Sequence, residues 1–145
     1  MGSRPQSDRR SDRGPLGIPV RTVLDTSILI VNDVPPIDGE VAISAVSLAE
    51  LHFGLLVATT ALQRAQRLQR LIAVERKFEP LPVDAGVARS YGQLAAAVRA
   101  YGRKPPPRAL DLMIAATAHA NNARLVTRNA DDLRGIEHLL DVATL

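Results

Sequence analysis

An α/β fold, with a mostly parallel sheet covered by helices, is predicted by two features of the 145-residue chain. From Val20 onward, short β-branched runs alternate with longer segments of helical period, the pattern of strand–helix units that stack a parallel sheet. Four of these segments, VLDTS, SLAEL, ALDLMIAATA and LVTRNADDL, also set an acidic residue beside the end of an apolar run. In open parallel sheets the carboxyl ends of strands and the starts of the following helices converge on one edge, so Asp25, Glu50, Asp111 and Asp132 are expected together there.

Residues 20–25 (VRTVLD) read as the first strand and 41–45 (VAISA) as the second, each brief, β-branched and followed by a polar residue where a helix can start. Residues 47–58 form the next expected helix. Over 61–78, Leu62, Ala65, Leu68, Leu71 and Ile72 fall on one helical face, suited to a core or a partner, with Arg64, Arg67 and Arg70 in a parallel basic row. A helix over 85–101 ends at Gly102, and Pro105, Pro106 and Pro107 then stop regular structure. Residues 111–120 give another helix, 125–127 a short strand, 129–133 a single turn, and 138–142 the last strand. Residues 1–19, rich in Arg, Ser, Asp, Pro and Gly with little to bury, read as a disordered basic extension, native or vector-derived, and 20–145 as one domain.

Composition narrows the function. The absence of cysteine excludes disulfides, thiolate catalysis and cysteine-ligated zinc, and makes the cytoplasm the default compartment. No apolar run reaches the ~20 residues of a membrane span, so a soluble protein without membrane attachment is expected. Four arginines against two aspartates in the first 19 residues carry +2 of the net charge of +3. The body is therefore nearly neutral, and the pI of 9.9 permits nucleic-acid binding without pointing to it.

Taken singly, each acid has a local explanation, since Asp is a favoured helix N-cap and Ser47 to Glu50 spells a capping box. Asp25, held behind Val23 and Leu24 with three more acids at the same edge, goes beyond capping. Two carboxylates ~4 Å apart repel by roughly 4 kcal/mol at an effective dielectric of ~20, and a divalent cation relieves this. Carboxylates are hard donors, which selects Mg²⁺ or Mn²⁺, ions able to activate water and neutralise a phosphate under in-line attack. That is phosphodiester hydrolysis.

These residues resemble the PIN-domain ribonucleases, and among them the VapC-like toxins of type II toxin–antitoxin pairs. The resemblance covers about 20–145 and rests on VLDTS, on Ser47 to Leu51, on DLMIAATA from Asp111 to Ala118, and on LVTRNADDL, where Leu133 replaces a common phenylalanine. It implies a three-layer α/β/α domain with a central, mostly parallel sheet of four or five strands. It implies a Mg²⁺-dependent endoribonuclease, with Mn²⁺ as substitute, in which Asp25 and Asp111 are principal metal ligands and Glu50 binds metal or orients water. Many relatives carry an acid where Asn129 stands, so the fourth position falls to Asn129 through its carbonyl or to Asp132. The hydroxyls of Thr26, Ser27 and Thr127 are placed to bond these ligands or a phosphate. The resemblance also implies RNA as substrate, a cognate antitoxin as partner, a homodimer, and a heterotetramer or larger assembly with the antitoxin. In such proteins the region of Leu51, Phe53, Leu55 and Leu56 helps form a groove for the antitoxin's C-terminal segment.

Other chemistries fit less well. His52, His119 and His138 lack metal-ligand spacing and read as surface or packing residues, and Arg64, Arg67 and Arg70 as a solvated face. An aspartyl-phosphate phosphatase wants a second Asp where Ser27 stands, and a receiver domain wants a late lysine, whereas the last is Lys104. The non-enzyme alternative is a PIN-like binding module whose acids serve as helix caps.

Overall fold

The computed structural model describes residues 21–31 and 36–145; the expected extension over 1–19, and Val20 at the head of the first strand, lie outside them. The elements run β1 (Arg21–Leu24), α1 (Thr26–Leu29), β2 (Glu40–Ile43), α2 (Ala45–Leu56), α3 (Ala61–Lys77), α4 (Ala85–Ala100), α5 (Ala109–Ala120), β3 (Arg124–Thr127) and β4 (Val142–Thr144), with 3₁₀ turns at Pro106–Arg108 and Ala130–Leu133. The four strands pair in the order β2-β1-β3-β4, all parallel, with Leu24 opposite Ile43 and Val126. Leu81 adds a one-residue bridge beyond β2 by donating to Ile43 O and accepting from Ala45 N.

Alternation along the strands sends successive side chains to opposite faces, and both faces are filled. Val23 and Leu125 join a cluster with Val87, Leu94 and Val98 of α4 and Leu112, Ile114 and Ala115 of α5. Leu24, Ile43 and Val126 point the other way, onto Ile28 of α1 and Val74 of α3. A sheet buried on both sides is the three-layer arrangement expected. Among the described residues no helix is long and apolar enough to cross a membrane.

Two expectations need correction. The last strand is Val142–Thr144, not 138–142. Gly135 takes φ +103°, and Leu139 and Leu140 donate to Ile136 O, so this apolar run folds into a turn that buries Ile136 and Leu140 against α4 and α5. Second, α5 starts at Ala109, because the prolines form a 3₁₀ turn leading into the helix where a full stop was expected; proline lacks only an N–H that a first turn leaves unpaired anyway. Of the two uses expected for the apolar stripe of α3, a core or a partner, the core takes only part: Leu71 is buried, but Leu62 is 68% exposed, and Leu68 and Ile72 are exposed too. The reason is that α3 pairs with α2 as a hairpin, with Arg67 Nη1 donating to Gly54 O at 2.6 Å and His52 Nε2 lying 3.0 Å from Glu75 Oε1. His119 is hydrogen-bonded to buried Ser90 at 2.8 Å, which joins α5 to α4, and His138 is exposed.

Leu94→Ala empties a fully buried position between α4 and the rest of the core, and should lower unfolding free energy by about 2–5 kcal/mol in urea titration. Leu56→Ala, at a site 80% exposed, should change it by no more than about 0.5 kcal/mol.

Candidate metal centre

β1 ends at Leu24, and Asp25 follows with its backbone N–H donating to Val126 O at 2.9 Å, so the carboxylate leaves the sheet at the C-terminal edge between β1 and β3. Its Oδ2 accepts from Ser27 N at 3.3 Å, Ser27 Oγ at 2.6 Å and Thr127 Oγ1 at 3.0 Å. Thr127 closes β3 and in turn accepts from Asn129 N, while Ser27 Oγ accepts from Arg128 N. Asp25 is therefore buried and fixed to both strands through neutral donors, which hold its geometry without cancelling its charge.

Asp111 sits in the first turn of α5, two residues after its start, and lines one small pocket with Asp25, Thr127, Asn129, Asp132 and Leu133. Its carboxyl is pushed up from 3.8 to about 6, first by burial and then by the charges of Asp25, Asp132 and Glu50, with Arg108 pulling weakly the other way. Glu50 does not line this pocket. It stands on α2 at the periphery, where Thr26 Oγ1 donates to its Oε1 at 2.8 Å and is also bonded to Ser47 Oγ. Larger concavities lie elsewhere, including one of about 680 Å³ lined in part by Leu29, Arg67, Arg70, Lys77 and Phe78, and that groove holds no acid. The acids line the smaller pocket.

The capping explanation survives for one acid only. Asp25 is the N-cap of α1, a four-residue helix that starts where the polar residue after the first strand allows one. The N-cap of α2 is Ser44, whose Oγ accepts from Val46 N, so Ser47 and Glu50 form no capping box. Asp111 lies inside α5, and the turn holding Asp132 has no side-chain cap bond. Three carboxylates are thus brought to the edge for no local backbone purpose.

Among the described residues no three acidic side chains stand in a ready-made ligating arrangement. In chemistry the donor set fits a hard divalent cation: three carboxylates and an Asn side chain around one pocket, a fourth carboxylate nearby, and burial together with the neighbouring negative charges raising the Asp111 carboxyl. Sequence reasoning missed Arg108, whose buried Nε has no hydrogen-bond partner and which precedes Asp111 by one turn. No motif marks it.

Comparison with known proteins places the chain in a family. The chain matches the PIN domain over residues 22–139. Ribonuclease VapC5 of Mycobacterium tuberculosis is 39% identical over 119 residues, 78% of this chain and 86% of that protein. Ribonuclease VapC4 of the same organism is 32% identical over 117 residues, 77% and 88% of the two chains. Among solved structures, VapBC-5 from Mycobacterium tuberculosis, a member of the VapBC family of toxin–antitoxin systems, aligns with TM-score 0.75 at 38% identity over 88% of this chain and 98% of that one. VapBC2 from Rickettsia felis, bound to a promoter DNA fragment, shares the fold with TM-score 0.68 at 24% identity, over 86% and 98%. With the match running from β1 to the turn before β4, and a relative this similar over most of its length, the chain belongs to the PIN-domain family, beside the VapC ribonucleases.

Proposed function

We propose that this chain is the toxin of a toxin–antitoxin pair, an endoribonuclease that hydrolyses RNA phosphodiester bonds with a Mg²⁺ ion, or Mn²⁺ in its place. PIN-domain VapC ribonucleases are metal-dependent in general. The observation that carries the reading to this chain is the single pocket at the sheet edge lined by Asp25, Asp111, Asn129 and Asp132, where burial first, and the neighbouring acids second, raise the Asp111 carboxyl. Asp25, Asp111 and Asp132 would hold the ion with the Asn129 carbonyl, and Glu50 would ligate it or orient the attacking water. A bound divalent ion supplies an acidified water and neutralises charge on the phosphate.

The chain's own groups do the rest. Ser27 and Thr127 keep Asp25 Oδ2 fixed, so the carboxylate enters the site in a single orientation. Thr26 does the same for Glu50, leaving Glu50 able to accept a proton from water approaching the phosphate. The products are a 5′-phosphate and a 3′-hydroxyl, since this attack needs no help from the 2′-hydroxyl. The solved relatives are toxin–antitoxin complexes, and a cognate antitoxin is the partner we assign to this chain, acting on a homodimer in the cytoplasm. Exposed Phe53, Leu56, Val57 and Leu62, where α2 turns into α3, offer apolar surface for such a partner.

The test is cleavage of a mixed structured RNA pool with Mg²⁺ or Mn²⁺ beside an EDTA control. Asp25→Asn and Asp111→Asn should each reduce metal-dependent cleavage by more than about a hundredfold, beyond the loss typical of groups that only orient a ligand. Activity unchanged in both variants would sink the assignment.

A pH dependence follows from Asp111. Because its folded value of about 6 exceeds the ordinary 3.8, the native state holds a proton that the unfolded chain releases between these values. This group's contribution therefore makes the metal-free protein less stable as pH rises from about 4 to about 6. Melting temperatures across this window should show that fall, and Asp111→Asn should flatten it. Protons compete with the ion for the same oxygens, so Mn²⁺ affinity should drop as pH falls through about 6.

A further inference from the structure

The turn that presents Asp132 is exposed, and two adjacent acids, Asp131 and Asp132, compete for the same role. An exposed carboxylate facing three others gains by swinging away into water, so something must hold it in place. The turn's restraint comes from the far end of α4. That helix closes in a Schellman motif: Gly102 at φ +96° donates to Arg99 O at 2.9 Å, and Arg103 N donates to Val98 O at 3.1 Å. This closure directs Arg103 across to the other segment, where its Nη1 donates to the Asp131 carbonyl. A second point of contact lies two residues before Arg103 on one segment and four residues after Asp131 on the other. Gly135, also at positive φ, approaches Tyr101 so closely that a Cβ there would lie 2.8 Å from Tyr101 Cβ. The Asp131 side chain is meanwhile occupied on the outside, its Oδ1 accepting from Arg134 Nε at 3.1 Å and Nη2 at 2.9 Å.

From this arrangement we infer that Arg103 is a positioning residue for the metal centre, gripping the backbone of the 130–133 turn so that Asp132, and not Asp131, faces the acidic pocket. The guanidinium touches neither the pocket nor its carboxylates. It acts through the Asp131 carbonyl, one peptide before the ligand, while Arg134 keeps the Asp131 carboxylate turned outward. The inference rests on the reading of the four acids as a metal site, and deepens it by assigning the group that keeps the least buried acid in place.

The experiment is Mn²⁺ binding to the purified full chain, followed by loss of the free-ion paramagnetic resonance signal, with metal-free melts to establish that each variant folds. Two truncations, Arg103→Met and Arg103→Ala, should weaken Mn²⁺ binding by about tenfold, the scale on which supporting groups tune metal sites. Arg103→Lys, which still offers a charged donor to the carbonyl, should recover much of the affinity. In an Asp132→Asn background the same truncations should add little, since coupled residues do not add. Cleavage by Arg103→Met should need more metal for half-maximal rate while the rate at saturating metal stays close to wild type. Wild-type affinity in both truncations overturns the inference, as does a full loss that persists in the Asp132→Asn background. If wild type itself binds no Mn²⁺, the metal reading fails first and the clamp falls with it. If the truncations lower only the metal-free melting temperature, Arg103 serves stability alone.

Discussion

A single oxygen, Asp25 Oδ2, ties together the parts of this molecule that function requires. It receives the backbone and side chain of Ser27 from α1 and the hydroxyl of Thr127 from β3, while Asp25 itself ends β1 and donates its N–H to Val126 O. Every one of these donors is neutral. The carboxylate is consequently held as firmly as a buried structural group while its charge stays uncompensated, and the parallel sheet brings Asp111 and Asp132 up to the same opening. The fold thereby concentrates negative charge where, among the described residues, no cation forms an ion pair with these acids; Arg108 is the weakest of the influences on Asp111. Such a site lowers the stability of the domain that builds it, and the two apolar layers on either side of β1 and β3 offset the loss.

The same economy explains why the apolar face of α3 stays in water. The core on the α1 side needs little more than Ile28, Leu24, Ile43, Val126 and Val74, so only the C-terminal half of α3 is required to cover it. The N-terminal half continues as one arm of a hairpin, fixed to α2 by the Arg67 bond to Gly54 O, and leaves Leu62 and Leu68 exposed beside Phe53 and Leu56. Arg67 thus spends its charge on the hairpin, and the basic row seen in the sequence is not a uniform solvated face.

How legible all this was depended on the range of the interactions involved. The strands over 21–24, 40–43 and 124–127 and the long helices were readable because period and β-branching are local signals, and so was the convergence of acids, since it follows from parallel topology. The hydroxyls of Thr26, Ser27 and Thr127 were readable as partners of the acids only through the family resemblance, and all three bond to Glu50 or Asp25. The helix start at Ala45 escaped because Ser44 and Ser47 are equally good caps on paper; the structure chooses Ser44, whose hydroxyl also meets Thr117 from α5. The last strand was misplaced because an apolar run such as Leu139-Leu140 fits a strand or a packed turn alike, and only the left-handed Gly135 behind it decides. Arg108 and Arg103 carried no signal because their roles depend on what lies across space.

The choice between Asp131 and Asp132 shows this limit most clearly. They are neighbours with the same chemistry, and a one-residue shift of a 3₁₀ turn would exchange them. What separates them is the docking of 101–103 onto 131–135, in which Gly102 takes the positive φ that ends the helix and Gly135 allows an approach to Tyr101 that a residue with a side chain could not make. Gly102 is remote from the motif acids in sequence, Gly135 stands three residues after Asp132, and neither lines the pocket. They set which carboxylate reaches it all the same, by fixing where one helix ends and how tightly the next turn lies against it. In this fold the strands gather the acids, and the helix terminus decides which of two adjacent ones counts.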